Sequence, residues 1–304
     1  MITTYKYRDI TWIDLESPTT DEIRKVREEW HINEVVSQEL ISLTLKPKVD
    51  LYRDYIYLVL HFPAIRHSHK GQSDQEIDFI IGKKFIITTH YDTVDPLHEF
   101  SKIFEVNSVL DRSDLGDHAG YIFYYMIKNI YKGMENELDM IKDRLALIET
   151  NTFTGKEKEM VTEISKVSRN LIDIKRAIRP HDDVLSSLQT AGLRFFGQDF
   201  DFHLKTIKDE FYRLEHELFS HSELLSELRG TNDSLLTTKQ NETMKILSVV
   251  AFIGLPLSIF TALFQVNTIS APIVGRSGDF WILLGILIIM AIVLYKFSKY
   301  KKWL

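Results

Sequence analysis

Two stretches of the chain hold no charged side chain, residues 246–275 and residues 280–295, and that absence limits the possible folds more than any other feature. Residues 246–264 number nineteen, and their only polar side chains are Ser248, Ser258 and Thr261. A helix of about 20 such residues crosses a hydrocarbon core of about 30 Å. The second stretch has sixteen residues, which as a helix span only about 24 Å. Lys296 can snorkel, which lets Phe297 extend the span, and Trp281 and Trp303 are suited to the interface. Two spans put both termini on one side of the membrane. The lysines of residues 296–302, against the single Arg276 between the spans, assign that side to the cytosol.

Charge divides along the same line. Residues 241–304 carry six Lys/Arg against two acids, a net of +4, so within a total of −6 the preceding residues hold −10. An acidic cytosolic body repels nucleic acid and concentrates cations. The chain has no cysteine, which excludes disulfides, thiolate metal sites and a cysteine nucleophile. The first ten residues, MITTYKYRDI, carry no apolar run, so a cleaved signal peptide is not expected.

The first ~110 residues alternate strand and helix patterns. Residues 10–14 read as a strand, and Ser17-Pro18-Thr19-Thr20-Asp21 supplies capping chemistry for a helix over 22–30. Residues 54–62 (DYIYLVLHF) are rich in aromatic and β-branched side chains, and residues 77–81 and 85–89 form a hairpin about Gly82-Lys83-Lys84. Gly82-Lys83 is no phosphate loop, because the upstream glycine is missing and a strand follows. From about Gly116 the apolar period becomes 3.6. Residues 120–149 and 157–188 are expected as an antiparallel helix hairpin, broken by residues 150–155, with Pro180 kinking or unwinding the return helix. A third helical pattern starts near Phe202 and runs unbroken into the apolar stretch ending at Phe264. About 60 residues at 1.5 Å each make roughly 90 Å, the length of a stalk entering a membrane.

The first span is not uniform around its circumference. Asn241, Met244, Ser248, Ala251, Leu255, Ser258, Ala262 and Gln265 recur at three- to four-residue steps as a face of small and polar side chains. Val249, Phe252, Ile253, Phe260 and Leu263 make the opposite face bulky. A small face also suits plain helix packing. One helix cannot enclose a path, so a pore needs several copies about an axis. His181-Asp182-Asp183 is either a ligand trio or a solvated helix turn, and the second is favoured. His216 and His221, five apart and so roughly 140° apart on a helix, are not a chelating pair. No nucleophile–base–acid pattern, glycine-rich cofactor loop or zinc-protease helix occurs in the sequence, so neither an enzyme nor a cofactor is expected.

Asn241-Glu242-Thr243-Met244-Lys245-Ile246-Leu247 with Pro256-Leu257 resembles the first transmembrane helix of the CorA family of magnesium and cobalt transporters. Arg176-Ala177-Ile178-Arg179-Pro180 and Val184-Leu185-Ser186-Ser187-Leu188 are similar to that family's cytosolic hairpin, and the closing Lys-Lys-Trp-Leu matches too. The resemblance implies an α+β cytosolic domain with long stalk helices and two C-terminal transmembrane helices, assembled as a funnel-shaped homopentamer in the inner (plasma) membrane with both termini cytoplasmic. Its expected parts are a cytosolic α/β domain over 1–115, a long-helix hairpin and stalk over 116–240, and the stalk end with pore-lining helix over 241–267. An extracytoplasmic loop over 268–279, a second span over 280–297 and a basic tail over 298–304 complete it. The resemblance further implies a pore lined by the small face together with Leu247, and a cytosolic collar of Lys296, Lys299, Lys301 and Lys302. Divalent cations are its substrate and a possible gating ligand, although no acids here align with a regulatory metal site.

The family's Gly-Met-Asn triplet is replaced. Phe264 is followed by Gln265, Val266 and Asn267, so the asparagine stays while Gly and Met do not. Glycine reaches backbone geometries that Gln adopts only with strain. The loop over 268–279 has no acid before Asp279. Mg²⁺ sheds water reluctantly and prefers octahedral oxygen ligands. A ring of Asn267 amides, helped by Gln265, would hold the ion through its hydration shell, while Leu247 and Leu255 make dewetting constrictions and Asn241 a second amide ring. The alternative is a non-conducting membrane-anchored sensor or scaffold of the same architecture.

Overall fold

The computed structural model describes residues 1–63, 74–91, 94–105, 116–265, 278–301 and 303. It divides into two units, Met1–Arg229 and Gly230–Leu304. The first is built on a six-stranded sheet of β1 (Ile2–Tyr7), β2 (Ile10–Glu16), β3 (Lys48–Leu51), β4 (Tyr55–Pro63), β5 (Asp74–Gly82) and β6 (Phe85–His90). Spatial order is β1-β2-β6-β5-β4-β3, with β2 and β6 parallel and the other neighbours antiparallel.

The near-continuous apolar run of β4 follows from burial on both faces. Ile56, Leu58, Leu60 and Phe62 enter one core, whereas Tyr55, Tyr57 and Val59 enter the other. The smaller core is closed by α1 (Thr20–Trp30) and α2 (Glu34–Glu39), through Ile23, Val26 and Val36. Thr19 starts α1 by a reciprocal capping box with Glu22, as the Ser17–Asp21 sequence leads one to expect. The fully buried Asp78 lies on this face, and burial first, then Glu76 and Glu39, push its pKa far up.

The larger core lies under α3 (Asp95–Glu105), α4 (Gly120–Phe153), α5 (Glu157–Ile178), α6 (His181–Phe196) and the first turns of α7 (Asp201–Gln265). On α7 the stripe Leu204, Ile207, Phe211, Leu214, Leu218, Leu225 and Leu228 is buried at helical spacing. In the second unit lie the remainder of α7 and α8 (Asp279–Tyr300).

Sequence and structure differ at four points. The return helix does not merely kink at Pro180 but ends at Ile178 and restarts at His181. Proline lacks an N–H and its ring collides with the preceding turn. Helix α4 continues through Phe153, with the Thr150 hydroxyl donating to the Ala146 carbonyl, and breaks only at Thr154 and Gly155, where φ is 93°. Strand β1 gives little sequence signal, yet it pairs along all of β2 and stacks Tyr5 on Trp12 at 4.6 Å. Helix α2 and strand β3 are too short for periodicity to declare.

The fourth difference is His181, which is neither a solvated turn nor a metal ligand but fully buried. Its Nε2 donates to the His61 carbonyl at 2.8 Å, and its Nδ1 accepts from the Tyr131 hydroxyl at 2.9 Å. A carbonyl can only accept, so this pair of bonds selects one neutral tautomer. Burial, the leading cause, brings its pKa from 6.5 down to about 4. The folded pKa lies below the unfolded one, so stability is complete above pH 6.5 and is lost as pH falls toward 4. About 2 kcal/mol should go between pH 6.5 and 5. His181→Phe should therefore flatten the fall in melting temperature of the purified protein between pH 7.5 and 5. An unchanged slope would show that His181 is not the group being titrated.

Candidate transmembrane conduction site

Helix α7 and helix α8 are both long and apolar enough to cross a membrane. In α7 the apolar section follows a stretch, residues 233–248, in which no side chain is buried. Pro256 sits inside it, so the Phe252 carbonyl loses its usual partner, a loss that neighbouring helices and local adjustment tolerate in a bilayer. The hydroxyls of this section are satisfied locally. Ser248 donates to the Met244 carbonyl at 2.8 Å, Ser258 to Gly254 at 3.0 Å, and Thr261 to Ser258 at 2.9 Å. With each hydrogen directed back into the helix, the serine oxygens offer lone pairs outward.

All eight expected pore-lining side chains, Asn241, Met244, Leu247, Ser248, Ala251, Leu255, Ser258 and Ala262, are exposed in the single chain, and so is Gln265. Ile246, Val250 and Ile259 are exposed as well, so exposure alone does not single out the small face. Its chemistry and spacing do. Of the bulky residues, Val249 is buried and Phe252, Ile253 and Phe260 are half-buried, while Leu263 is exposed. The Phe252 ring meets Phe297 of α8 at 6.0 Å and Trp303 at 5.4 Å. A cleft of about 390 Å³ between the two helices is lined by Leu257, Ser258, Thr261, Leu287, Ile288 and Ala291.

The C-terminus folds back on α8. The Trp303 amide donates to the Ser298 carbonyl at 3.0 Å, and Lys301 caps the helix. Lys296, Lys299 and Lys301 are exposed around the last turn, where positive charge favours the negative end of the helix dipole. The sequence pointed to Trp303 as an interfacial anchor, and its contact with Phe252 emerges only from the structure. Val266, Asn267 and Lys302 lie outside the described residues. Among the described residues no three His, Cys, Asp or Glu side chains are grouped to hold a metal ion.

An α+β unit followed by two helices long and apolar enough to cross a membrane defines a class of membrane-anchored proteins. Residues 7–301 match the family of CorA-like Mg²⁺ transporter proteins. The chain belongs to that family. It is 24% identical over 299 residues to the cobalt/magnesium transport protein CorA of Thermotoga maritima, covering 97% of this chain and 83% of that one. Identity to the zinc transport protein ZntB of Yersinia enterocolitica is 21% over 298 residues, covering 96% and 88%. The fold is that of the CorA magnesium transporter from Methanocaldococcus jannaschii, with a TM-score of 0.82, 17% identity and coverage of 99% and 94%. As a member of this family the chain is a divalent cation transporter.

The contact of Phe252 with Phe297 and Trp303 predicts a stability difference between two leucine-sized faces. Phe252→Ala removes two aromatic contacts of about 0.5–1.5 kcal/mol each. It should lower the melting temperature of the detergent-solubilised protein, whereas Leu263→Ala should not. Equal effects would contradict the packing described.

Proposed function

We infer that the chain assembles as a homopentamer in the inner (plasma) membrane, both termini cytoplasmic, and passes hydrated Mg²⁺, Co²⁺, Ni²⁺ or Zn²⁺ along its axis. The single observation that carries this reading is the exposed small and polar face of α7, from Asn241 to Gln265. Five copies turned inward would surround a path with amide and serine oxygens, and residues 233–248 would gain the neighbours a bare helix lacks. Family membership and the names of the relatives, cobalt/magnesium and zinc transport proteins, support divalent cations as cargo.

The mechanism follows from the chemistry of neutral oxygens. They contact the ion's water shell without stripping or trapping it, which conduction requires. Asn267 and Gln265 form the outer amide rings with Val266 between them, Leu247 and Leu255 narrow the path, and Asn241 makes the inner ring. Lys296, Lys299, Lys301 and Lys302 form a collar at the cytosolic face. The cytosolic domains and long helices make the funnel of the assembly.

Mass measurement in detergent should give five copies, and a stable monomer or dimer would exclude the assembly. Reconstituted protein should pass at least one of the four ions into liposomes. Asn267→Ala should cut that flux about tenfold or change the ion preferred, the consequence of losing one ring of contacts worth about 1.4 kcal/mol. Gln265→Gly with Val266→Met should shift preference toward Mg²⁺ with assembly intact. If wild type and double variant both pass no divalent ion, the chain is a membrane-anchored sensor or scaffold instead.

A further inference from the structure

We propose that the groove between α5 and α7 binds a nucleoside triphosphate. Two clefts, of about 580 Å³ and 210 Å³, lie between these helices and share Lys175 and Ser222, so they form one groove within the first unit. The larger cleft has the size of a small-ligand site, typically about 300–1,000 Å³, and the smaller extends it. Lys175 and Arg179 line it from the α5 side, and His216 and Arg229 from α7. Lys175, Arg179 and Arg229 are exposed, and none has an ion-pair or side-chain hydrogen-bond partner among the described residues. Glu215 is the one acid on the lining.

The charge runs against its surroundings. Outside residues 241–304 the chain carries −10, yet three cations without a partner among the described residues and an imidazole are spread along this groove, Lys175 at both clefts, Arg179 and His216 at the larger and Arg229 at the smaller. Lys175 lies in the last turn of α5 and Arg179 caps it, where compensation of the helix dipole would account for both. It does not account for Arg229 or His216, which lie within α7, far from either end. Cations from two elements around a concave site fit a polyvalent anion, and guanidinium and ammonium groups are phosphate binders.

The floor and rim specify more than charge. Ile178 and Leu218 are buried beneath the groove, while the Phe219 ring is 56% exposed at its edge. An exposed aromatic face beside cations offers a base a surface to stack on, worth about 1–3 kcal/mol for nucleic acid bases. Tyr212, also on the lining, is held by a 2.8 Å hydrogen bond to Asp182, which leaves Phe219 as the freer platform. A triphosphate on Lys175 and Arg179 with its base on Phe219 satisfies both features. Nucleoside triphosphates are themselves chelators of divalent cations, so such a ligand would report on the cation pool by a route separate from the pore.

The test uses the full chain in detergent and measures equilibrium binding of adenosine triphosphate, adenosine and inorganic tripolyphosphate. Adenosine triphosphate should bind saturably and adenosine should not. Lys175→Gln with Arg179→Gln should weaken binding at least tenfold, and higher salt should weaken it further. Phe219→Ser should weaken adenosine triphosphate several-fold and leave tripolyphosphate unchanged. All three side chains are exposed, so folding should survive, checked by an unchanged melting temperature. Absence of saturable binding, or equal affinity in the double variant, overturns the proposal. Equal binding of both phosphates with no effect of Phe219→Ser overturns the nucleotide assignment. Capture by anionic-lipid vesicles that depends on Lys175 and Arg179, without nucleotide binding, would make the ligand a headgroup. Loss of assembly in the double variant would give the groove to a second copy.

Discussion

Helix α7 runs over 65 residues with a ladder bond missing at Pro256, and the same ladder has to serve two solvents. Up to Leu228 it is an ordinary amphipathic helix, with a leucine-rich stripe buried and acids and lysines outside. Beyond residue 246 it is apolar on nearly every side. Only a helix can make that passage without leaving backbone groups unsatisfied in hydrocarbon. The serines and Thr261 obey the same rule by donating within the helix. In the proposed pore, the oxygens they leave outward would meet the hydrated cation.

Elsewhere the same demand is met by buried pairs. His181 joins α6 to α4 and β4 through two hydrogen bonds in a fully buried site, and the cost of that burial appears as a depressed pKa. Asp78 shows the opposite sign, its acid form favoured by burial and by the carboxylates beside it. Both groups belong to the frame of the first unit and not to a catalytic centre. In the groove between α5 and α7 the cations are exposed and unpaired instead, which is the condition for binding something that comes from outside.

In the proposed pore, replacement of Gly and Met before Asn267 sets the chain's divergence where a hydrated ion would first meet the protein. Gln265 puts an amide where glycine has no side chain, and Val266 is shorter than methionine. Relatives named for cobalt/magnesium and for zinc transport match this chain over nearly its whole length.

Hydropathy alone declared the two spans, because the bilayer demands a length and an absence of charge that few other environments do. The 3.6 period gave α4, α5 and α7, and the aromatic and β-branched runs of β4, β5 and β6, with the short β2 pattern, gave most of the sheet. The small face of α7 from Asn241 to Gln265 was readable for the same reason: spacing on a helix is determined by its backbone. What the chain's local pattern could not declare was β1, whose strand is specified by pairing with β2, or α2 and β3, which are too short to repeat. His181 read as surface because Asp182 and Asp183 follow it, and only the packing of α6 against Tyr131 and His61 made it the most enclosed histidine among the described residues. The groove of Lys175, Arg179, His216 and Arg229 was likewise invisible, since its cations lie up to 54 positions apart and meet only when two helices pack. Local periodicity is written in neighbouring residues; the meeting of distant side chains is decided by tertiary packing.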